Sequence, residues 1–246
     1  MTARKRLPMM IAVLGLAAGC SQPEPGVAPA AEATASKWVT PPRIDGVRRS
    51  AGALTVSGQT SPGARVVLRG GDGSAFAASA DDSGRFEIRI GAADHDLSLI
   101  PEVQTGEDAA PAPERLLILG GADGPVVMLA AGVAGRRLDG AGALGAVDSD
   151  GRMLALSGRA PAGQTVRITL NGGSGMTVLA GADGRWTAVA GPAGGPVRLG
   201  VGARVYDYPG EAGAGPVAAR AGAGWRLAWM SSSGGRQVTW LPDAGE

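Results

Sequence analysis

Taken in steps of two, the chain shows short runs of apolar side chains separated by polar ones. Leu54 and Val56 face one way, then Val66 and Leu68, then Phe76, Ala78 and Ala80, then Phe86, Ile88 and Ile90. A hundred residues later the same rhythm returns with Leu154 and Leu156, then Val166, Ile168 and Leu170, then Met176, Val178 and Ala180, then Trp186, Ala188 and Ala190. The positions between are often polar, as with Arg65, Arg69, Glu87 and Arg89, or Thr165, Arg167, Thr169 and Thr187. Period two with one apolar face predicts antiparallel strands laid over a core.

The two stretches are related. Residues 43–90 align without a gap on 143–190, and 11 of the 48 pairs are identical, Leu54/Leu154, Gly58/Gly158, Val66/Val166 and Gly84/Gly184 among them. The shared glycines fall where turns are needed and the shared apolar residues keep the alternation. Pro62-Gly63 and Ala162-Gly163 precede one strand, and Asp82-Ser83-Gly84-Arg85 and Ala182-Asp183-Gly184-Arg185 precede the aromatic one. Asp and Gly tolerate the left-handed backbone of tight hairpins. Leu54-Thr55-Val56-Ser57-Gly58, Pro62-Gly63-Ala64-Arg65-Val66 and Asp82-Ser83-Gly84-Arg85-Phe86 resemble the patterns of bacterial immunoglobulin-like and carboxypeptidase-regulatory-like domains. The resemblance covers roughly 50 residues of each copy. It implies a β-sandwich and no single function, because that fold carries many.

Each copy is followed by two further apolar runs around a Gly-rich turn: Arg115–Leu119 with Val126–Leu129, and Trp225–Met230 with Gln237–Leu241. Both read as β-hairpins that complete their sandwich. Residues 104–113 and 209–224, rich in Ala, Gly and Pro, read as loops. The expected architecture is all-β: two tandem antiparallel sandwiches spanning 42–138 and 139–246, with the boundary near 135–142.

The first 41 residues follow other rules. Arg4, Lys5 and Arg6 precede a 12-residue apolar run, Leu7–Ala18, and then Gly19-Cys20-Ser21. A basic start, a short apolar core and small residues at its end mark an export signal. As a helix at ~1.5 Å per residue the run would cover roughly 18 Å, well short of the ~30 Å of a bilayer core. Leu16-Ala17-Ala18-Gly19-Cys20 resembles the lipobox of bacterial lipoproteins, with Ala17 where leucine is commonest. The resemblance implies cleavage before Cys20 and a diacylglyceryl thioether on its sulfur. In that family an aspartate after the cysteine retains the protein at the inner membrane; Ser21 therefore points to the outer membrane, with the chain facing the periplasm. Residues 1–19 are read as signal and 20–41 as the lipidated cysteine and a Pro/Ala-rich tether with too few apolar side chains to bury a core.

Composition narrows the function classes. Cys20 is the sole cysteine, so no disulfide framework or thiolate metal site is available. Without Arg4, Lys5 and Arg6 the chain holds 20 basic and 22 acidic residues. That balance makes no electrostatic case for nucleic acid. His95, in Asp94-His95-Asp96, is the sole histidine and reads as part of a polar turn; a Ser–His–Asp site is the alternative. The acidic turns Asp81–Gly84 and Asp148–Gly151 raise calcium, but two aspartates in a turn fall short of its six to eight oxygens. Gly70–Gly73 lacks the Lys-Ser/Thr ending of a phosphate loop. No cofactor motif, catalytic residue or metal site is assigned.

The aromatic cluster of the last hairpin is the remaining candidate. Trp225, Leu227 and Trp229 share one strand face, and Val238 and Trp240 share a face of its partner. Cross-strand packing in a core is the plainer expectation; an exposed platform for sugar rings, extended by Tyr206 and Tyr208, is the functional one. The sequence thus leads to a non-catalytic envelope lipoprotein that binds or spaces a protein partner and reaches the membrane through lipid on Cys20. A glycan-binding lipoprotein using Trp225, Trp229 and Trp240 is the alternative, and an enzyme comes last.

Overall fold

The computed structural model describes residues 40–244, apart from 51, 92–94, 107, 121–123, 141, 192–193 and 232–233. The residues read as an export signal, Cys20, nearly all of those read as a tether, and Asp94 lie outside the described residues. The described chain is all-β. Its first half holds β1 (Arg43–Ser50), β2 (Ala53–Gln59), β3 (Arg65–Gly70), β4 (Ala75–Ser79), β5 (Arg85–Gly91), β6 (Leu97–Thr105), β7 (Asp108–Pro111), β8 (Arg115–Ile118), β9 (Val126–Leu129) and β10 (Arg136–Arg137). The second half holds β11 (Ala146–Ser149), β12 (Leu154–Arg159), β13 (Thr165–Leu170), β14 (Met176–Leu179), β15 (Arg185–Ala190), β16 (Val197–Val201), β17 (Arg204–Tyr208), β18 (Ala219–Arg220), β19 (Gly224–Met230) and β20 (Arg236–Pro242).

Each half is a sandwich of two antiparallel sheets. In the first, a three-stranded sheet in the order β1-β2-β5 faces a seven-stranded one in the order β10-β9-β8-β6-β3-β4, to which β7 adds by pairing β6. In the second, the order β15-β12-β11-β20-β19-β18 faces β14-β13-β16-β17. The hundred-residue repeat is carried into the register: Leu54 pairs with Ile90 and Leu154 with Ala190, and Val66 pairs with Ala78 as Val166 does with Val178. The alternating residues read from the sequence face inward. Leu54, Val56, Val66, Leu68, Phe86, Ile88 and Ile90 belong to the first core, and Leu154, Leu156, Val166, Ile168, Trp186, Ala188 and Ala190 to the second.

Gly58 and Gly158 show why both copies keep a glycine in this strand. Each lies opposite the aromatic residue of the neighbouring strand, Phe86 or Trp186. A Cβ at either position would collide with that ring and with a carbonyl of the adjoining strand or connection, Arg43 or Ala143. The ring therefore lies over bare backbone and fills the space a side chain would take.

The stretch read as the loop 104–113 contains β7, which returns along β6. Gly106, at φ 63°, permits the tight reversal, and Pro111 is tolerated because β7 is an edge strand. The stretch 209–224 is mostly irregular, with the two-residue β18 near its end.

The two hairpins complete their sandwiches differently. β8–β9 extends the sheet that holds β3 and β6, whereas β19–β20 joins the sheet that holds β11 and β12. Both hairpins therefore carry a second face that neither sandwich covers by itself. Leu116, Ile118, Val126 and Met128 enter the first core, while Leu117, Leu119, Val127 and Leu129 point the other way. There they meet Ala146, Leu227 and Leu241, with Trp225 and Trp229 packed alongside. This third core joins the two sandwiches.

Candidate functional site

The last hairpin positions the tryptophans by its register. Trp225 pairs with Leu241, Leu227 with Thr239 and Trp229 with Gln237, whereas Trp240 pairs with Arg226. Directly opposed residues share a face, so Trp240 lies on the face opposite Trp225 and Trp229. It is only 1% exposed, deep in the second core, and its ring meets Tyr208 edge-on at 5.9 Å. Its Nε1 donates to the Ala221 carbonyl at 2.9 Å. Trp240 thus packs in a core, as the plainer expectation has it, and a surface of three tryptophans, the alternative, is not formed. Tyr208 is buried beside Trp240 and Tyr206 packs against the same core, so neither tyrosine extends a platform.

Trp225 and Trp229 are half-buried at the rim of the third core. The Arg220 guanidinium lies over the Trp225 ring, 5.4 Å from its centre, and is held there by two hydrogen bonds to the Asp243 carboxylate at 2.7 and 2.6 Å. A sugar stacking on that face would have to displace this cation–π contact and ion pair. The Trp229 indole is committed inward: Nε1 donates to Thr239 Oγ1 at 2.9 Å.

That bond begins a polar chain that sequence reasoning missed. The Thr239 hydroxyl donates to Asp148 Oδ1 at 2.5 Å, and the Gly135 backbone N–H donates to Asp148 Oδ2 at 2.5 Å. Asp148 was expected in an acidic turn; it stands in β11, 4% exposed. Its neighbour Val147 enters the second core, so alternation sends Asp148 to the opposite face, towards the first sandwich. Gly135 sits over the carboxylate, where a Cβ would come within 3.1 Å of it. Burial outweighs the two hydrogen bonds and pushes the Asp148 carboxyl from an ordinary 3.8 up to about 6.

Other polar ties span the same junction. Arg137, buried with Asp139, forms a two-pronged ion pair at 2.7 and 2.9 Å and donates from Nη1 to the Pro242 carbonyl at 2.8 Å. Ser157 Oγ donates to the Gly135 carbonyl. Arg185 Nη2, from β15, donates to the Asp45 carbonyl of β1 at 3.2 Å, while Arg136 Nη2 donates to the Ile44 carbonyl at 2.8 Å within the first sandwich.

The remaining candidates occupy turns. His95 is exposed, and Asp96 Oδ1 accepts the Gly120 N–H at 2.7 Å. Asp81 Oδ1 accepts from the Ser83 N–H and hydroxyl and from the Arg85 N–H; these bonds hold its carboxyl below the usual range. Asp150 Oδ1 accepts from the Arg152 and Met153 N–H groups, with the same effect. Both are side-chain-to-backbone turns. Among the described residues no three His, Cys, Asp or Glu side chains converge as a metal site would require.

No protein-family model and no curated protein matches the chain. One solved structure similar to it is described as "Ca2+-stabilized adhesin helps an Antarctic bacterium reach out and bind ice". The identity is 15% over 69% of this chain and 47% of that one, with a TM-score of 0.24. The chain thus spans about half the length of that structure, and a likeness of this size carries no functional inference.

Proposed function

We propose that this chain is a bacterial envelope lipoprotein, anchored by lipid on Cys20 and facing the periplasm from the outer membrane, whose paired β-sandwiches bind a protein partner without catalysing a reaction. The observation that carries the proposal is the placement of the one cysteine. It stands where an export signal ends, after Leu16-Ala17-Ala18-Gly19, and nowhere else in 246 residues. The binding role is supported by how the polar groups are used. Asp148 and Arg137, held in place by Thr239 and Asp139, are engaged in tying one sandwich to the other, and Asp81 and Asp150 in closing turns. General acid–base chemistry near neutral pH draws chiefly on His or on a carboxylate or lysine with a shifted pKa. His95 is an exposed turn residue, and Lys37 lies in the tether.

The test is complementation of a deletion strain. A His95→Ala, Asp96→Ala double variant is expected to restore the cellular role fully. Loss of that role, with folding and membrane attachment unchanged by circular dichroism and fractionation, would overturn the binding proposal in favour of catalysis.

A further inference from the structure

The outer face of the β11–β20 sheet is covered over only part of its width. Register places Val189, Ala155, Asp148, Thr239 and Leu227 side by side across β15, β12, β11, β20 and β19. At the Leu227 end this row is closed by the hairpin β8–β9 through the third core. At the Val189 end it is open. The connection from the first sandwich runs past the opening at Gly132 and Val133, leaving a groove of about 140 Å³ between that connection and the sheet. An apolar cavity near 150 Å³ takes a benzene-sized ligand, so this space suits one side chain.

The walls are apolar although they face water. Val133 is 58% exposed, Met153 43% and Val189 62%, and Ala155 lies between them on the sheet. The polar lining is acidic: Asp148 on the covered side, with Asp150 and the uncharged Gln237 nearby. Gly135 and Thr239 donate to the Asp148 carboxylate, Gln237 from β20 and Ala155 from β12 line the groove beside it, and among the described residues no cation is paired with it. A carboxylate offers about four lone-pair sites, and only two are taken. Burial without a counter-charge is what lifts this carboxyl above its ordinary range. A cation placed there would offset part of that penalty by its Coulomb attraction.

We propose that this groove receives a lysine side chain presented by a protein partner, with the ammonium against Asp148 and the methylenes along Val133, Met153 and Val189. Lysine fits better than arginine. The space is small, about 140 Å³, and receives a compact point charge more readily than a broad planar guanidinium. The long aliphatic stem matches the apolar walls. This inference rests on the proposal that the chain is a binding module, and it specifies where and by what chemistry the partner docks.

The test uses the chain isolated from its cells in zwitterionic detergent micelles, followed by methyl NMR. The probes are N-acetyl-lysine methylamide and N-acetyl-norleucine methylamide, which share a stem and differ in the charge. The lysine probe is expected to move the Val133, Met153 and Val189 methyl signals saturably, and the norleucine probe to bind at least about tenfold more weakly. Asp148→Asn should reduce the lysine response to the norleucine level, while Asp150→Asn should retain most of it. Equal responses to the two probes, no response to either, or an undiminished response in Asp148→Asn would overturn the proposal. An inert groove leaves the binding module standing. Loss of function in the His95 and Asp96 double variant would remove that module whatever the titration shows.

Discussion

A chain carrying Leu241→Asp is expected to unfold in two calorimetric steps where the wild-type chain unfolds in one. Leu241 is fully buried and lies in the third core, between the hairpins of the two sandwiches. Folding each sandwich alone would leave Leu117, Leu119, Val127 and Leu129 on one side, and Leu227 and Leu241 on the other, in contact with water. Burying four to six such side chains is worth roughly 1.5–3 kcal/mol each, enough to make the halves stabilise each other. A lone carboxylate in that layer cannot be accommodated and would cost on the order of 3 kcal/mol or more. For a chain of this size that amounts to roughly 6–12 °C in melting temperature. Val127→Asp, on the first sandwich's side and equally buried, is expected to do the same. If either variant melts as one unit at the wild-type temperature, the third core does not couple the sandwiches.

Acidification is expected to stabilise the folded chain before it destabilises it. The Asp148 carboxyl titrates at about 6 in the folded chain against an ordinary 3.8. The folded state therefore takes up a proton as pH falls through 6, while the unfolded chain waits until about 3.8. Stability rises across that window and levels off below it. At 1.36 kcal/mol per pH unit the gain approaches ~3 kcal/mol. Asp72, Asp81 and Asp243 act in the opposite sense, since hydrogen bonds hold their carboxyls below the ordinary range; their contribution is lost only as pH falls under 3.8. Chemical denaturation should thus show maximal stability near pH 4–5. Asp148→Asn should flatten the rise between pH 7 and 5. A stability that falls steadily with pH from 7 to 5 would contradict the burial of an unpaired charge at this position.

The sandwich pattern was legible because its physics is local. Alternation of Leu54, Val56 and Val66, or of Leu154, Leu156 and Val166, fixes which face turns inward, and the repeated Asp and Gly turns fix where strands end. The joining of the two sandwiches was encoded differently. Leu116–Leu119 and Val126–Leu129 are apolar at every position, the signature of strands buried on both faces. Which element covers the second face depends on the different sheets that the two hairpins join, and no local pattern specifies that.

The tryptophans show the same limit at the scale of one residue. Spacing places Trp225 and Trp229 together. Their relation to Trp240 depends on the register across the turn at 231–235, and a shift of one residue would have moved Trp240 to their face. Asp148 was hidden by its company. Followed by Ser149, Asp150 and Gly151, it looks like a turn residue, yet Val147 aligns with Val47 and enters the second core. Carrying that strand one residue further would have placed Asp148 on the opposite face, under the first sandwich.

Anchoring at Cys20 is tested most directly by the mass of the mature N-terminus. The chain would be extracted from membranes with detergent, digested, and its first peptide measured. The expected peptide begins at Cys20 and carries a diacylglyceryl group on the cysteine sulfur. A first peptide that begins elsewhere, or one that begins at Cys20 with a free thiol, would contradict a lipid-anchored body.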